Sequence, residues 1–158
     1  MHLSRLCAVL IDCKTSDLDE AARFWAAALG YVLEPPPESF ATWDDWRREV
    51  GFPDDELGIG ADSIIDPRGE GPRIWFRVEP DAKVVKNRLH FDIHASTDGP
   101  YLSSVRKVPI EVRTQRVDAE AKRLVGLGAT ITGALTAEGL DHYAVGMKDP
   151  EGNEFDIN

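Results

Sequence analysis

The chain carries one unit written twice, and no other feature constrains its fold as much. The first half holds Val9-Leu10-Ile11-Asp12, an amphipathic stretch ending at Leu29-Gly30, and the turn Asp66-Pro67-Arg68-Gly69. The second holds Leu89-His90-Phe91-Asp92, an amphipathic stretch ending at Leu127-Gly128, and Asp149-Pro150-Glu151-Gly152. Two long copies are not a solenoid, which stacks about three or more short repeats. They predict paired half-domains that form one site between them.

Each half reads as strand, helix, strand, strand, strand. In the first, Arg5 to Cys13 is a short apolar run with β-branched residues, followed by Ser16 or Asp17 as a helix cap with Asp19 and Glu20 in the first turn, where the helix dipole favours acids. Ala21, Phe24, Trp25, Ala28 and Leu29 recur at helical spacing, which gives an apolar face, and Gly30 stops the helix. Strands are expected at Tyr31–Leu33, Ile59–Ile65 and Arg73–Val78. Glu79 to Asn87 is a polar connector. The second half predicts strands at Leu89–Ala95, Ala129–Thr132, His142–Lys148 and Glu154–Ile157, with a loop over 96–115 and a helix over Val117–Leu127. The expected organisation is one domain over 1–158, with modules 1–82 and 83–158.

Residues 34–58 have no counterpart in the second half. Thr42 predicts a cap for a short helix in which Trp43, Trp46 and Val50 recur at i, i+3 and i+7. That pattern fits a helix stapled to the body by two tryptophans, with a lid over a ligand pocket as the alternative reading.

The formal net charge is −10, which argues against a nucleic-acid partner because phosphate backbones need a basic surface. No apolar run approaches the ~20 residues of a membrane span and no signal peptide is evident, so a cytoplasmic protein without a membrane partner is expected. Cys7 and Cys13, six apart on one predicted strand, are beyond disulfide reach and are expected as buried free thiols. Gly58-Ile59-Gly60 leads into a strand rather than a helix, so it is not a phosphate loop.

His90, Asp92 and His94 alternate and would share one face of a strand. His90 reads as a pocket-lining group, a core histidine or a metal ligand. Asp12 and Asp92 match across the repeat, as acid/base groups or as acceptors for backbone or arginine donors. Glu154 and Asp156 share a face of the last strand, and an Asp156 carboxylate beside His90 would raise the basicity of the imidazole. His142 and Tyr143 open a strand, and one of them should face the site. Arg77, if inward, would bind a ligand carboxylate or phosphate, and Arg73 shares its parity.

Two βαβββ halves, Phe24-Trp25 and Leu29-Gly30 in the first helix, and Asp149-Pro150-Glu151-Gly152-Asn153-Glu154-Phe155 before the last strand resemble the vicinal oxygen chelate superfamily of glyoxalase I, bleomycin-resistance proteins and extradiol dioxygenases. Lys86-Asn87-Arg88-Leu89-His90-Phe91-Asp92 resembles its glyoxalase-like actinobacterial branch. The resemblance implies an α+β fold of two βαβββ modules in an eight-stranded, incompletely closed barrel, a site in the trough between modules, and a homodimer. It places metal-ligand positions at His90 and Asp156 in the second half. In the first half the equivalent positions are Leu10 and one near Trp75 or Phe76, which cannot bind a hard metal. Two of four ligand positions therefore remain, fewer than the three protein ligands of a usual catalytic metal site.

The leading expectation is thus a metal-independent protein that binds a small organic molecule. Trp43, Trp46, Trp75 and Phe76 would form apolar walls, and Arg77, Asp92, His142 and Glu154 would supply polar contacts. The alternatives are a lyase, isomerase or dioxygenase using one divalent metal on His90 and Asp156, and a structural or regulatory subunit with an unused trough.

Overall fold

A computed structural model of the chain describes residues 6–14, 17–99, 104, 107–136 and 138–158. It divides into two units, Met1–Ala82 and Lys83–Asn158. The first contains β1 (Ala8–Cys13), α1 (Leu18–Leu29), β2 (Val32–Leu33), α2 (Trp43–Val50), a short 3-10 turn (Asp54–Glu56), β3 (Ser63–Ile65) and β4 (Arg73–Val78). The second contains β5 (Asp92–Ile93), α3 (Ile110–Val125), β6 (Thr130–Leu135), β7 (Ala144–Lys148) and β8 (Glu154–Ile157). Each unit has its own four-stranded sheet, ordered β1-β4-β3-β2 and β5-β8-β7-β6. In both sheets the first strand runs parallel to the last, with Asp12 opposite Arg77 and Asp92 opposite Asp156. The protein is mixed α+β, with two βαβββ modules.

Helix α1 forms where its pattern predicts. The Asp17 carboxylate accepts from the Glu20 amide at its start, and Gly30 closes it at φ 70°, a left-handed conformation that glycine adopts without a Cβ penalty. Ser16, the alternative cap, lies outside the described residues. Ala22, Phe24 and Trp25 are buried with Ile11, Cys13, Ile64, Ile74 and Phe76. The Phe24 and Trp25 rings meet edge to face at 5.4 Å, which adds to the stabilisation from their burial. In the second unit Val117, Ala121 and Leu124 of α3 form the core with Val145, Met147, Phe155 and Ile157.

Several elements differ from the sequence reading. The strand expected over Leu89–Ala95 is reduced to Asp92–Ile93. Leu89 is 88% exposed, and the backbone before the strand is bent by side-chain bonds. The Asn87 amide donates to Glu154 at 2.9 Å, and the His90 Nε2 meets the Asn87 carbonyl at 3.0 Å. His90 and His94 therefore flank the strand and do not alternate along it with Asp92. The strand expected from Ile59 starts only at Ser63, because Gly58 and Gly60 take φ 76° and 75° and break an extended run. Helix α3 starts at Ile110 rather than Val117, where the first position of its buried stripe is Arg113. Likewise β7 starts at Ala144, so His142 and Tyr143 precede the strand. Cys13 is buried but Cys7, outside β1, is exposed. Among the described residues no helix is long and apolar enough to cross a membrane.

Candidate functional site

The first unit encloses a cavity of about 770 Å³ between the 34–62 segment and β4. Its construction begins at Thr42, whose hydroxyl accepts from the Asp45 amide while the Asp45 carboxylate accepts from the Thr42 amide. This reciprocal box satisfies two amides that the first turn of α2 would otherwise leave without partners. Trp43 is then pinned by its indole N–H, which donates to the Glu34 carbonyl at 2.9 Å. Trp46 meets Trp43 edge to face at 5.5 Å, and Phe52 lies 5.8 Å from Trp46. These three rings form one wall of the cavity.

Arg47 holds that wall in place. It is 2% exposed, pairs with Asp44 at 2.9 Å and Asp62 at 3.1 Å, and donates to the Gly60 carbonyl. Asp44 in turn accepts the Gly58 amide. This amide bond, then the Arg47 hydrogen bond and charge, hold the Asp44 carboxyl below its usual range against the opposing effect of burial. One buried guanidinium thus ties α2 to the loop that returns to β3. The dipeptide spacing of Gly58 and Gly60 is the only sequence trace of this arrangement.

The opposite wall is β4. Ile74 and Phe76 point into the core, so Arg73, Trp75 and Arg77 fall on the other face, as strand alternation requires. Arg73 pairs with Glu34 at 2.6 Å, and the same carboxylate accepts from the Ser63 hydroxyl. Arg77 pairs with Asp12 across the β1–β4 register at 2.9 Å. Trp75 is 41% exposed beside its register partner Leu10, also 41% exposed. Trp43, Trp46, Trp75 and Arg77 thus line one cavity, with Arg73, Asp55, Glu56 and Asp62. Phe76 borders it too, but at 0% exposure it is a core residue rather than the accessible wall that the sequence suggested.

The remaining candidates belong to the second unit. Asp92 is exposed, while Asp156 and Glu154 are half-buried on their shared face of β8. Glu154 pairs with Lys83 at 2.7 Å and accepts the Asn87 amide; these, the lysine first, lower its pKa to about 2. His90 does not pair with Asp156: its ring nitrogen faces the Asn87 carbonyl at 3.0 Å and the Lys86 ammonium at 3.2 Å. The bend at 88–89 turns the imidazole to its own connector. His142 is half-buried ahead of β7. Tyr143 donates to Asp118, an interaction that raises the phenol to about 12. No three His, Cys, Asp or Glu side chains among the described residues come together as a metal-binding group.

The Glu154–Lys83 pair gives a direct test of these electrostatics. Lys83→Met is expected to raise the Glu154 pKa from about 2 toward the ordinary 4.5, read by carboxyl carbon chemical shift during an acid titration. The sign follows from linkage: a lowered carboxyl stabilises the fold above its unfolded pKa, and that contribution is lost as pH falls through the folded value. An unchanged Glu154 titration in the variant would show that Lys83 does not set it.

A glyoxalase-like domain model matches residues 8–158. No curated protein matches the chain. Among solved structures, it is similar to a glyoxalase/bleomycin resistance protein/dioxygenase family enzyme from Burkholderia phytofirmans, at 16% identity, TM-score 0.57, and coverage of 98% of both chains. It is also similar to a fosfomycin resistance protein from Listeria monocytogenes complexed with Mn(II) and 1S,2S-dihydroxypropylphosphonic acid, at 11% identity, TM-score 0.56, and coverage of 100% of this chain and 90% of that one. A third is a superfamily member from Sphaerobacter thermophilus, at 13% identity, TM-score 0.52, and coverage of 98% and 96%. These likenesses are of fold. The family model, which matches nearly the whole sequence, shows that the chain belongs to the glyoxalase-like domain family.

Proposed function

We propose that the protein binds a small organic molecule in the cavity of its first unit, without needing a metal quartet. One observation carries the reading. Trp43, Trp46, Phe52 and Trp75 surround a volume of about 770 Å³, within the ~300–1,000 Å³ typical of small-molecule sites. Trp75 is the most telling of them: its 41% exposure contributes little to the core, and its indole has no hydrogen-bond partner among the described residues. What marks it is that Trp43, Trp46 and Phe52 line the same cavity, since contiguous apolar patches, unlike single exposed rings, mark ligand sites.

The test is a thermal-shift screen of ring-containing small molecules, followed by titration of each hit into wild type and Trp75→Ala. The expected result is a loss of about tenfold or more in affinity, the scale of removing one aromatic anchor, with little change in the melting temperature of the free protein. Hits that bind Trp75→Ala as tightly as wild type would place the site elsewhere.

The competing proposal is metal-dependent lyase, isomerase or dioxygenase chemistry through His90 and Asp156. It is supported by the positions that the superfamily resemblance assigns, and it needs a third ligand. Metal content of untagged protein purified without chelators separates the two. About one tightly held divalent ion, lost in His90→Ala, would favour the enzyme.

A further inference from the structure

Resting on the small-molecule reading of this cavity, we infer that its ligand is an aromatic organic cation, held between the tryptophan faces and the acidic rim of Asp55 and Glu56. The charges around the cavity decide the sign. Its three guanidinium groups are already answered: Arg47 by Asp44 and Asp62, Arg73 by Glu34, and Arg77 by Asp12. An anionic ligand at Arg73 or Arg77 would set a second negative charge beside a carboxylate already in place.

The carboxylates are in excess. Arg47 is shared between two of them, and Asp62 lines the cavity. Asp55 and Glu56 line it too, are exposed, and have no side-chain partner among the described residues. A cation entering here meets uncompensated negative charge and displaces no existing bond. It also meets aromatic faces, whose quadrupoles attract cations within ~6 Å of the ring centre. Trp43, Trp46 and Trp75 all line the cavity. The chain's net charge of −10 draws cations toward the surface and repels anions.

The experiment uses three probes with one ring system: 1-naphthylmethylammonium, 1-naphthylmethanol and 1-naphthoate. Each is titrated at low salt into ¹⁵N-labelled full-length protein, following the indole N–H signals of the four tryptophans, assigned by single Trp→Phe variants. Trp25, 2% exposed in the core, is the internal control. The expected result is that Trp43, Trp46 and Trp75 shift while Trp25 does not, with the ammonium binding about fivefold to tenfold more tightly than the alcohol. In the D55N/E56Q double variant that preference should fall to roughly twofold, and an unmoved Trp25 signal reports an intact fold.

Equal affinity for ammonium and alcohol, or a preference that survives in the double variant, overturns the inference and leaves small-molecule binding standing. Tightest binding by naphthoate also overturns it and assigns the ligand to Arg73 or Arg77. Failure of all three probes to move any cavity indole removes both this inference and the binding role of the cavity.

Discussion

Arg47→Met is expected to destabilise the first unit by about 3 kcal/mol, the scale of removing one partner from a buried ion pair. The side chain is 2% exposed and meets two carboxylates and a backbone carbonyl. Methionine replaces the aliphatic stem but not the guanidinium, and so leaves Asp44 and Asp62 without a cation. Because Asp44 and Asp62 are 28% and 18% exposed, water softens the penalty, so the expectation sits at the lower end of the usual range. Urea unfolding reads the loss, and the emission of Trp43 and Trp46 should shift to the red as α2 detaches. A cost below about 1 kcal/mol would show that the helix is held by its aromatic contacts alone.

This effect should depend on pH. In wild type Asp44 titrates below its usual 3.8, so its carboxylate stabilises the fold above that value and stops doing so as pH falls through the lower folded value. The difference between wild type and variant should therefore narrow in acid. Ligand binding should fall along with stability, since α2 supplies two of the ring walls.

The same arginine shows where the sequence could be read and where it could not. Repeats, turns and apolar stripes are local patterns, and they identified α1 and the bounds of β4 and β8. The stripe of α2 was legible through Trp43 and Trp46. Its one buried residue, however, is Arg47, and a charged residue reads as surface until its partners are known. Those partners lie up to fifteen positions away, at Asp62. The seven missing residues of α3 have the same cause. Arg113 is 3% exposed and pairs with Asp141 and the Val108 carbonyl, so it fills the place of an apolar residue at the head of the stripe.

Around His90 the opposite error arose. Alternation of His90, Asp92 and His94 suggested a strand, but a ring nitrogen bonded to a carbonyl three residues back favours a bend. Side-chain bonds to nearby backbone compete with strand formation, and alternation cannot register them. For the candidate site, residue types were more legible than pairings. Trp43, Trp46, Trp75 and Arg77 line a common cavity, and Asp12 reads from sequence as an acceptor for an arginine, but nothing in the sequence says that Arg77 is that arginine. That pairing turns a candidate anion binder into part of a neutralised wall.

The repeat itself supplies the second large effect. Asp149→Ala is expected to cost about 3 kcal/mol, because its carboxylate, 4% exposed, accepts three bonds within the turn before β8. They come from the Glu151 amide at 2.9 Å, the Asn153 amide at 2.8 Å and the Asn153 side chain at 3.1 Å. Bonds to a charged acceptor contribute about 1.5–3 kcal/mol each in isolation, and they are not additive within one turn. Asp149→Asn keeps an acceptor oxygen and should lose about 1 kcal/mol. Asp66 makes the equivalent bonds in the first module, to the Arg68, Glu70 and Gly71 amides, so Asp66→Ala should destabilise in the same direction. The matching turns are then a physical repeat as well as a textual one: each carboxylate gathers the amides of an Asp-Pro-x-Gly turn. Chemical unfolding with hydrogen exchange across β7 and β8 tests this. Exchange that accelerates at β8 in Asp149→Ala, with overall stability reduced as stated, is the expected pattern. Wild-type exchange there would mean that the strand pairing of β7 and β8 fixes the turn, with the aspartate merely accommodated.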